Sequence, residues 1–324
     1  MSDFRGVRSA PAIKIALALA TVYVIWGSTY LAIRFAIETL PPFLMAGVRF
    51  AIAGALLYGW ARWRGVPRPS RANWKAAALI GTLLLVGGNG GVVWAEQRVD
   101  SGVTALLVST VPLWMVLFEW LRRGGNRPTV GVVAGLALGF AGLVMLVRPQ
   151  EGGSGAVDPV GAAVLLLGCV SWALGSARSR HVALPASPIL ATGMEMLSGG
   201  ALLVVLGLAS GEAASLDPAA ASAKSVLALA YLIVFGALIG FTAYVWLLQV
   251  APPALVSTYA YVNPVVAMFL GWALAGEPIT GGMLAAAAVI LTGVTLITVF
   301  RNRPAPAQEE AEERCLSLPA PEET

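Results

Sequence analysis

The chain is a succession of apolar runs, each about as long as a bilayer is thick, separated by short polar breaks. A hydrocarbon core of about 30 Å takes roughly 20 helical residues to cross. Inside it every backbone N–H and C=O must find a partner within the protein, so only helices and closed barrels can span it. Barrel strands are short and alternate in polarity, whereas these runs are continuous and rich in Ala, Leu, Val and Gly. They are expected as helices near residues 15–33, 41–60, 76–94, 102–121 and 128–147, then 158–177, 187–208, 225–247, 253–273 and 279–299. The expected fold class is an all-α polytopic membrane protein of ten transmembrane helices. With 58% hydrophobic and 12% charged residues, the composition lies far from that of soluble domains.

The first run contains Ala16-Leu17-Ala18, which resembles a signal-peptide cleavage site. Only about five residues separate it from Arg8 once Lys14 is discounted, short of the roughly 7 to 15 of a signal h-region. The run also continues to Ile33, so the first span is expected to be retained.

Ten spans divide the Lys and Arg residues very unevenly between the two sides. One side holds Arg5, Arg8, Lys14, Arg62, Arg64, Arg68, Arg71, Lys75, Arg122, Arg123, Arg127, Arg178, Arg180, Arg301, Arg303 and Arg314, sixteen in all. The other holds four: Arg34, Arg98, Arg148 and Lys224, with Arg49 left inside a span. Positive residues favour the cytoplasm, so both termini are expected there. The tail 303–324, with Glu309, Glu310, Glu312 and Glu313, has almost nothing to bury and is expected to be disordered.

Several functions are disfavoured. The net charge of +4 is spread through short loops, which fits membrane topology better than nucleic-acid binding. Cys169 and Cys315 give no disulfide framework, and the lone His181, a loop residue beside Arg178 and Arg180, leaves too few ligands for a metal site. No nucleophile with its base stands at a suitable spacing, and there is no P-loop. No cofactor is expected. The expected partners are the lipid bilayer and a small-molecule substrate, with a coupling proton undecided and the chain a monomer or weak dimer. Secondary transport remains, with a passive facilitator or channel as the alternative and a membrane-embedded enzyme further behind.

The two halves match in order. Trp26 pairs with Trp172 and Arg34 with Arg180 at an offset of 146; Gly88 with Gly240, Trp94 with Trp246, Gln97 with Gln249 and Pro112 with Pro264 at 152; and Pro128 with Pro278 at 150. This predicts a repeat over 1–150, a second over 156–302 and the tail beyond. Five spans per repeat is odd, so the second must run inverted, which places a site between the repeats near the midplane and provides for alternating access.

Trp26-Gly27-Ser28-Thr29-Tyr30, the Arg49-Phe50 pair, and Pro112 and Pro264 late in each half resemble the drug/metabolite transporter superfamily, and within it the EamA-type ten-helix inner-membrane exporters, over about residues 12–300. The resemblance implies a secondary transporter exporting amino acids or other metabolites, with a central cavity lined by helices 1, 3, 4, 6, 8 and 9.

Asn89, flanked by Gly87, Gly88, Gly90 and Gly91, is the first-choice cavity residue. Trp26, Tyr30, Trp114, Trp172, Tyr244, Tyr259 and Asn263 complete the candidate set. Gly87, Gly88, Pro112 and Pro264 are candidate hinges, the prolines near mid-helix and freeing the carbonyls of Val108 and Ala260. Trp94 and Trp246 read as interfacial anchors. Arg49 is costly to leave unpaired within a span, and the offset of 146 carries it onto Glu195. Either the two charges face the interior, pairing or binding a zwitterion, or Arg49 satisfies helix-end carbonyls. Glu96, Glu119 and Asp100 read as solvated interfacial groups rather than a proton relay. Gly131, Gly135 and Gly139 form a small-residue face expected against helix 10.

Overall fold

The computed structural model describes residues 12–121, 129–147, 157–179, 181–251, 253–256 and 258–301, and among them the chain is helical with no strand. The tail 303–324, Arg122, Arg123, Arg127, Pro128, Arg148, Arg180 and the Glu119 side chain lie outside the described residues. The helices are α1 (Ala12–Ala36), α2 (Pro42–Trp63), α3 (Arg71–Ala95), α4 (Ser101–Val108 and Val111–Leu121) and α5 (Val130–Val147). Then come α6 (Pro159–Ser179), α7 (Pro188–Ala209), α8 (Ala223–Tyr231, Leu232–Ile239 and Gly240–Val250), α9 (Pro253–Val256 and Tyr259–Ala275) and α10 (Gly281–Arg301). Among the described residues nine helices are long and apolar enough to cross a membrane, and Tyr259–Ala275 is a shorter apolar one. Together they make the ten-helix membrane fold.

Helix ends deviate from the apolar runs where polar residues extend the helix. Helix α3 begins at Arg71 because Ser70 caps it: Asn73 N–H donates to Ser70 Oγ at 3.2 Å, and Ser70 N–H donates back to Asn73 Oδ1 at 2.8 Å. Pro112 departs from expectation more sharply. Instead of kinking a continuous helix, it is the second residue of Val111–Leu121, after a break at Ser109-Thr110. A proline ring clashes with the carbonyl four residues earlier; that residue, Val108, is where the first segment of α4 stops. Pro264 does lie inside a helical segment.

Helices α3 and α8 share a local feature. Residues Thr82–Asn89 and Leu232–Ile239 form wide π-helical turns, in which Gly90 N–H reaches Leu85 O and Gly240 N–H reaches Phe235 O, each five residues back. The wider turn leaves carbonyls less well served, and side chains from neighbouring helices supply donors. Ser171 of α6 donates to Leu83 O at 2.7 Å, and Trp26 of α1 donates to Gly236 O at 3.3 Å.

Helix packing pairs α2 with α7, α5 with α10, α1 with α8 and α9, and α6 with α3 and α4. Helices α2 and α7 run antiparallel through glycine faces: a Cβ on Gly47 would lie 2.9 Å from Gly200 O, and one on Gly54 would lie 2.8 Å from Gly193 O. Backbones this close need residues without side chains. On α5, Gly135 packs in the same manner against Gly293 and Ile297 of α10 and Gly131 lies against the Phe300 side chain, whereas the missing Cβ of Gly139 points at Leu113 of α4.

One end of the bundle is tied by polar contacts between connectors. Two carboxylates cap helices distant in sequence. Glu277 Oε1 accepts from Ser101 N–H at 2.8 Å, while its Oε2 accepts from Ser101 Oγ at 2.9 Å and Gly102 N–H at 3.1 Å, closing the start of α4. Glu212 accepts from Phe43 N–H at 3.0 Å and Leu44 N–H at 2.8 Å at the start of α2. Lys224 pairs with Glu38 at the same end. Segment Tyr259–Ala275 of α9 packs on Ser101–Val108, the half of α4 nearest this end; no comparable packing joins it to Val111–Leu121 among the described residues.

Candidate functional site

The inner surface combines an aromatic cluster with buried polar groups. Trp26 of α1 lies 5.0 Å from Tyr244 of α8 and 5.3 Å from Tyr259 of α9, ring centre to ring centre, and the two tyrosines stand 5.7 Å apart, edge to face. Three of the candidate residues thus meet in one cluster. Tyr30, one helical turn beyond Trp26 on α1, lies within electrostatic reach of Glu96 and Cys169.

Trp172 is placed differently. Its ring lies against Gly88, whose missing Cβ would sit 2.8 Å from Trp172 Cε3. The reciprocal arrangement occurs in the other half, where a Cβ on Gly240 would sit 2.7 Å from Trp26 Nε1. Gly87 is similarly overlain by the Ser171 side chain. These glycines admit neighbouring side chains against the π-helical turns. Trp114 packs edge-on to Phe140 of α5 at 5.4 Å, and its buried Nε1 has no hydrogen-bond partner.

Arg49 is 5% exposed and donates through Nη2 to Asn89 Oδ1 at 3.0 Å, with its guanidinium 4.1 Å from the centre of the Phe50 ring. Its Nε has no partner. Glu195 forms no ion pair with Arg49 among the described residues; the amide of Asn89, from α3, occupies the position of partner. Asn263, 6% exposed on α9, leaves its Oδ1 without a donor, as Thr104 on α4 leaves its Oγ1.

Glu96 corrects the sequence expectation. It was expected in solvent, yet it is 0% exposed, and neither carboxyl oxygen has a hydrogen-bond partner. The connector carrying it folds under the end of α1, where Arg34 Nη1 donates to Glu96 O at 3.0 Å and Val99 O at 3.2 Å, and Nη2 lies 3.7 Å from Asp100. Burial, with Glu277 nearby, holds the Glu96 carboxyl well above the usual carboxylate range, against the pull of Arg34 and Arg49. Asp100 is shifted upward by burial first and then by Glu277, and lowered in part by Arg34.

A cavity of about 470 Å³ lies between α2, α3, α6 and α7, with Phe43, Gly87, Trp94, Leu167 and Ser171 in its wall. It is apolar and opens outward beside the exposed Leu167, and neither Arg49, Asn89 nor Glu96 lines it. Trp94 carries Arg98 over its ring at 5.1 Å, while Trp246 packs against the Leu19, Val22 and Leu247 cluster. No group of three or more His, Cys, Asp or Glu able to hold a metal occurs among the described residues.

Comparison with known proteins places this architecture. The model of the EamA-like transporter family matches residues 13–148 and again 159–299. The chain is similar to the inner membrane transporter YedA of Escherichia coli, 42% identical over 283 residues, covering 87% of this chain and 90% of YedA. It is also similar to a WAT1-related chloroplastic protein of Arabidopsis thaliana, 27% identical over 86% of this chain and 68% of that protein. A solved crystal structure of a protein at 22% identity superposes with a TM-score of 0.61 over 89% of this chain and 99% of its own.

Proposed function

The chain belongs to the EamA-like transporter family, and from that premise we propose a secondary transporter that exports small zwitterionic or amphipathic metabolites, amino acids among them, by alternating access across a bacterial inner membrane. The observation that carries this reading is the interior itself. Helices from both halves bury polar groups, Arg49 bonded to Asn89 and, on α9, Asn263, and bring Trp26, Tyr244 and Tyr259 into one aromatic cluster, while Arg49 Nε and Asn263 Oδ1 have no hydrogen-bond partner. A guanidinium and an amide suit a carboxylate. Tyrosine and tryptophan faces suit an ammonium or an apolar body.

Alternating access draws support from packing. Exchanging each helix with the one five places on maps α2–α7 and α5–α10 onto themselves, α3–α6 onto α8–α1, and α4–α6 onto α9–α1. The antiparallel α2–α7 contact and the reciprocal Trp172–Gly88 and Trp26–Gly240 contacts behave likewise. In this reading residues 1–150 and 156–302 are inverted repeats. The Arg71 end is cytoplasmic, and the Glu277 end is the closed outer gate.

The test is flux in sealed proteoliposomes holding an equimolar mixture of the proteinogenic amino acids at the same concentration inside and outside, read by mass spectrometry. Accumulation of at least one above its outside concentration under an imposed pH gradient supports the reading. Equilibration that ignores the gradient assigns the chain to passive facilitation, and a complete lack of flux rejects amino acids as substrates.

A further inference from the structure

We propose that Glu96 is a proton-binding site of the transport cycle, neutral in the state seen here and released to pair with Arg49 when it ionises. The coupling role rests on the transporter reading above; the proton site rests on geometry alone. A carboxylate deprived of water and of hydrogen bonds costs several kcal/mol, roughly, and is more stable as the neutral acid.

Among the described residues each charged group facing Glu96 already has a partner other than its carboxyl. Arg34 of α1 is spent on two backbone carbonyls and on Asp100. Arg49 of α2 is held through Nη2 by Asn89. Glu277, from the connector between α9 and α10, is spent on capping α4 and adds negative charge. Tyr30 lies within electrostatic reach, but it is a neutral phenol. Asp100, four residues along the same connector, is engaged by Arg34. Among the described residues Arg34 and Arg49 favour the Glu96 anion only through space, and neither hydrogen-bonds it, while burial and Glu277 oppose it.

One unused donor does face the same interior. Arg49 Nε is buried and has no acceptor. When the bundle rearranges, the acid O–H bond breaks and the proton passes to water on the side then open. The carboxylate left behind pairs with Arg49, which reduces the hold of Arg49 on any substrate carboxylate. Protonating Glu96 frees Arg49 again. Proton and substrate occupancy become linked through a single guanidinium, and no oxidant, metal or nucleotide is needed.

The test uses the full chain in proteoliposomes as wild type, Glu96→Gln and Glu96→Asp. Infrared difference spectra recorded through a pH titration, with no substrate present, read the carboxylic acid directly. The expected result is an acid carbonyl band titrating with at least tenfold higher proton affinity than a solvated glutamate, absent from Glu96→Gln and retained by Glu96→Asp. A wild-type spectrum indistinguishable from that of Glu96→Gln overturns the proton site, whatever the substrate.

Flux of the amino-acid mixture tests coupling. Glu96→Gln is expected to lose at least tenfold in gradient-driven accumulation, with Glu96→Asp recovering it. Undiminished accumulation by Glu96→Gln overturns the coupling role. Absence of amino-acid flux in the wild type overturns the substrate reading and leaves the infrared band to decide the proton site.

Discussion

Trp172 fills the space that a side chain on Gly88 would need, at 2.8 Å from the position of the missing Cβ, and Trp26 does the same at Gly240. Each tryptophan thus closes α6 or α1 onto a π-helical turn of α3 or α8. Adding one methyl group at Gly88 should overpack this contact by about 1–3 kcal/mol. Gly88→Ala is expected to lower the detergent melting temperature, and Trp172→Phe in the same chain should recover part of the loss. Equal losses in the single and double variants would mean that the two residues do not act on each other.

Among the described residues, Asn89 is the one side chain that hydrogen-bonds the buried guanidinium of Arg49. Asn89→Leu should leave a charge stranded and cost about 3–5 kcal/mol, more than Arg49→Met, which removes the charge itself. Glu195 should behave as an independent site. A double-mutant cycle of Arg49→Met with Glu195→Gln is expected to show a coupling within about 0.5 kcal/mol, and a larger value would restore the direct pairing that the sequence offset suggested.

Glu277 caps α4 from the far half of the chain. Glu277→Ala is expected to destabilise by about 0.5–2 kcal/mol through loss of the cap. It should also loosen the end that holds Ser101 and Gly102, seen as faster hydrogen exchange at the start of α4, while the Phe43-Leu44 end capped by Glu212 stays protected.

The raised proton affinity of Glu96 has a defined sign for stability. The folded state keeps a proton that the unfolded chain releases above the ordinary carboxylate range. Stability from this group is therefore fully present at low pH and declines as pH rises from that range toward the folded value, with a limiting slope of about 1.4 kcal/mol per pH unit. Glu96→Gln should flatten the dependence of melting temperature on pH and be relatively more stable than wild type at the alkaline end of the window. A steeper profile in the variant would contradict this.

The spans were legible in the sequence because run length alone decides whether a helix reaches across hydrocarbon. The glycines around Asn89 marked the weak point of α3, and the pairing of Gly88 with Gly240 carried that mark onto α8, whose wide turn Leu232–Ile239 contains Gly236 and is followed by Gly240. Glu96 was not legible. It follows an apolar run by one residue and precedes Gln97-Arg98, a pattern that reads as interface; in the fold Arg34 bonds its backbone carbonyl and the charge of Glu277 acts on it through space, both from residues far away in sequence. The step from Arg49 to Glu195 at an offset of 146 did not find a hydrogen-bond partner; Asn89 of α3 is the residue that Arg49 bonds.

The central claim is that access alternates between the two ends, and distances across both ends test it most directly. In a background without Cys169 and Cys315, spin labels at Leu121 and Leu255 report the Arg71 end, and labels at Arg98 and Ile279 report the Glu277 end. Double electron–electron resonance in proteoliposomes across a pH series should show two populations at each pair, with one distance shortening as the other lengthens. Distances that stay fixed at both ends, or that change in the same sense, would contradict alternating access.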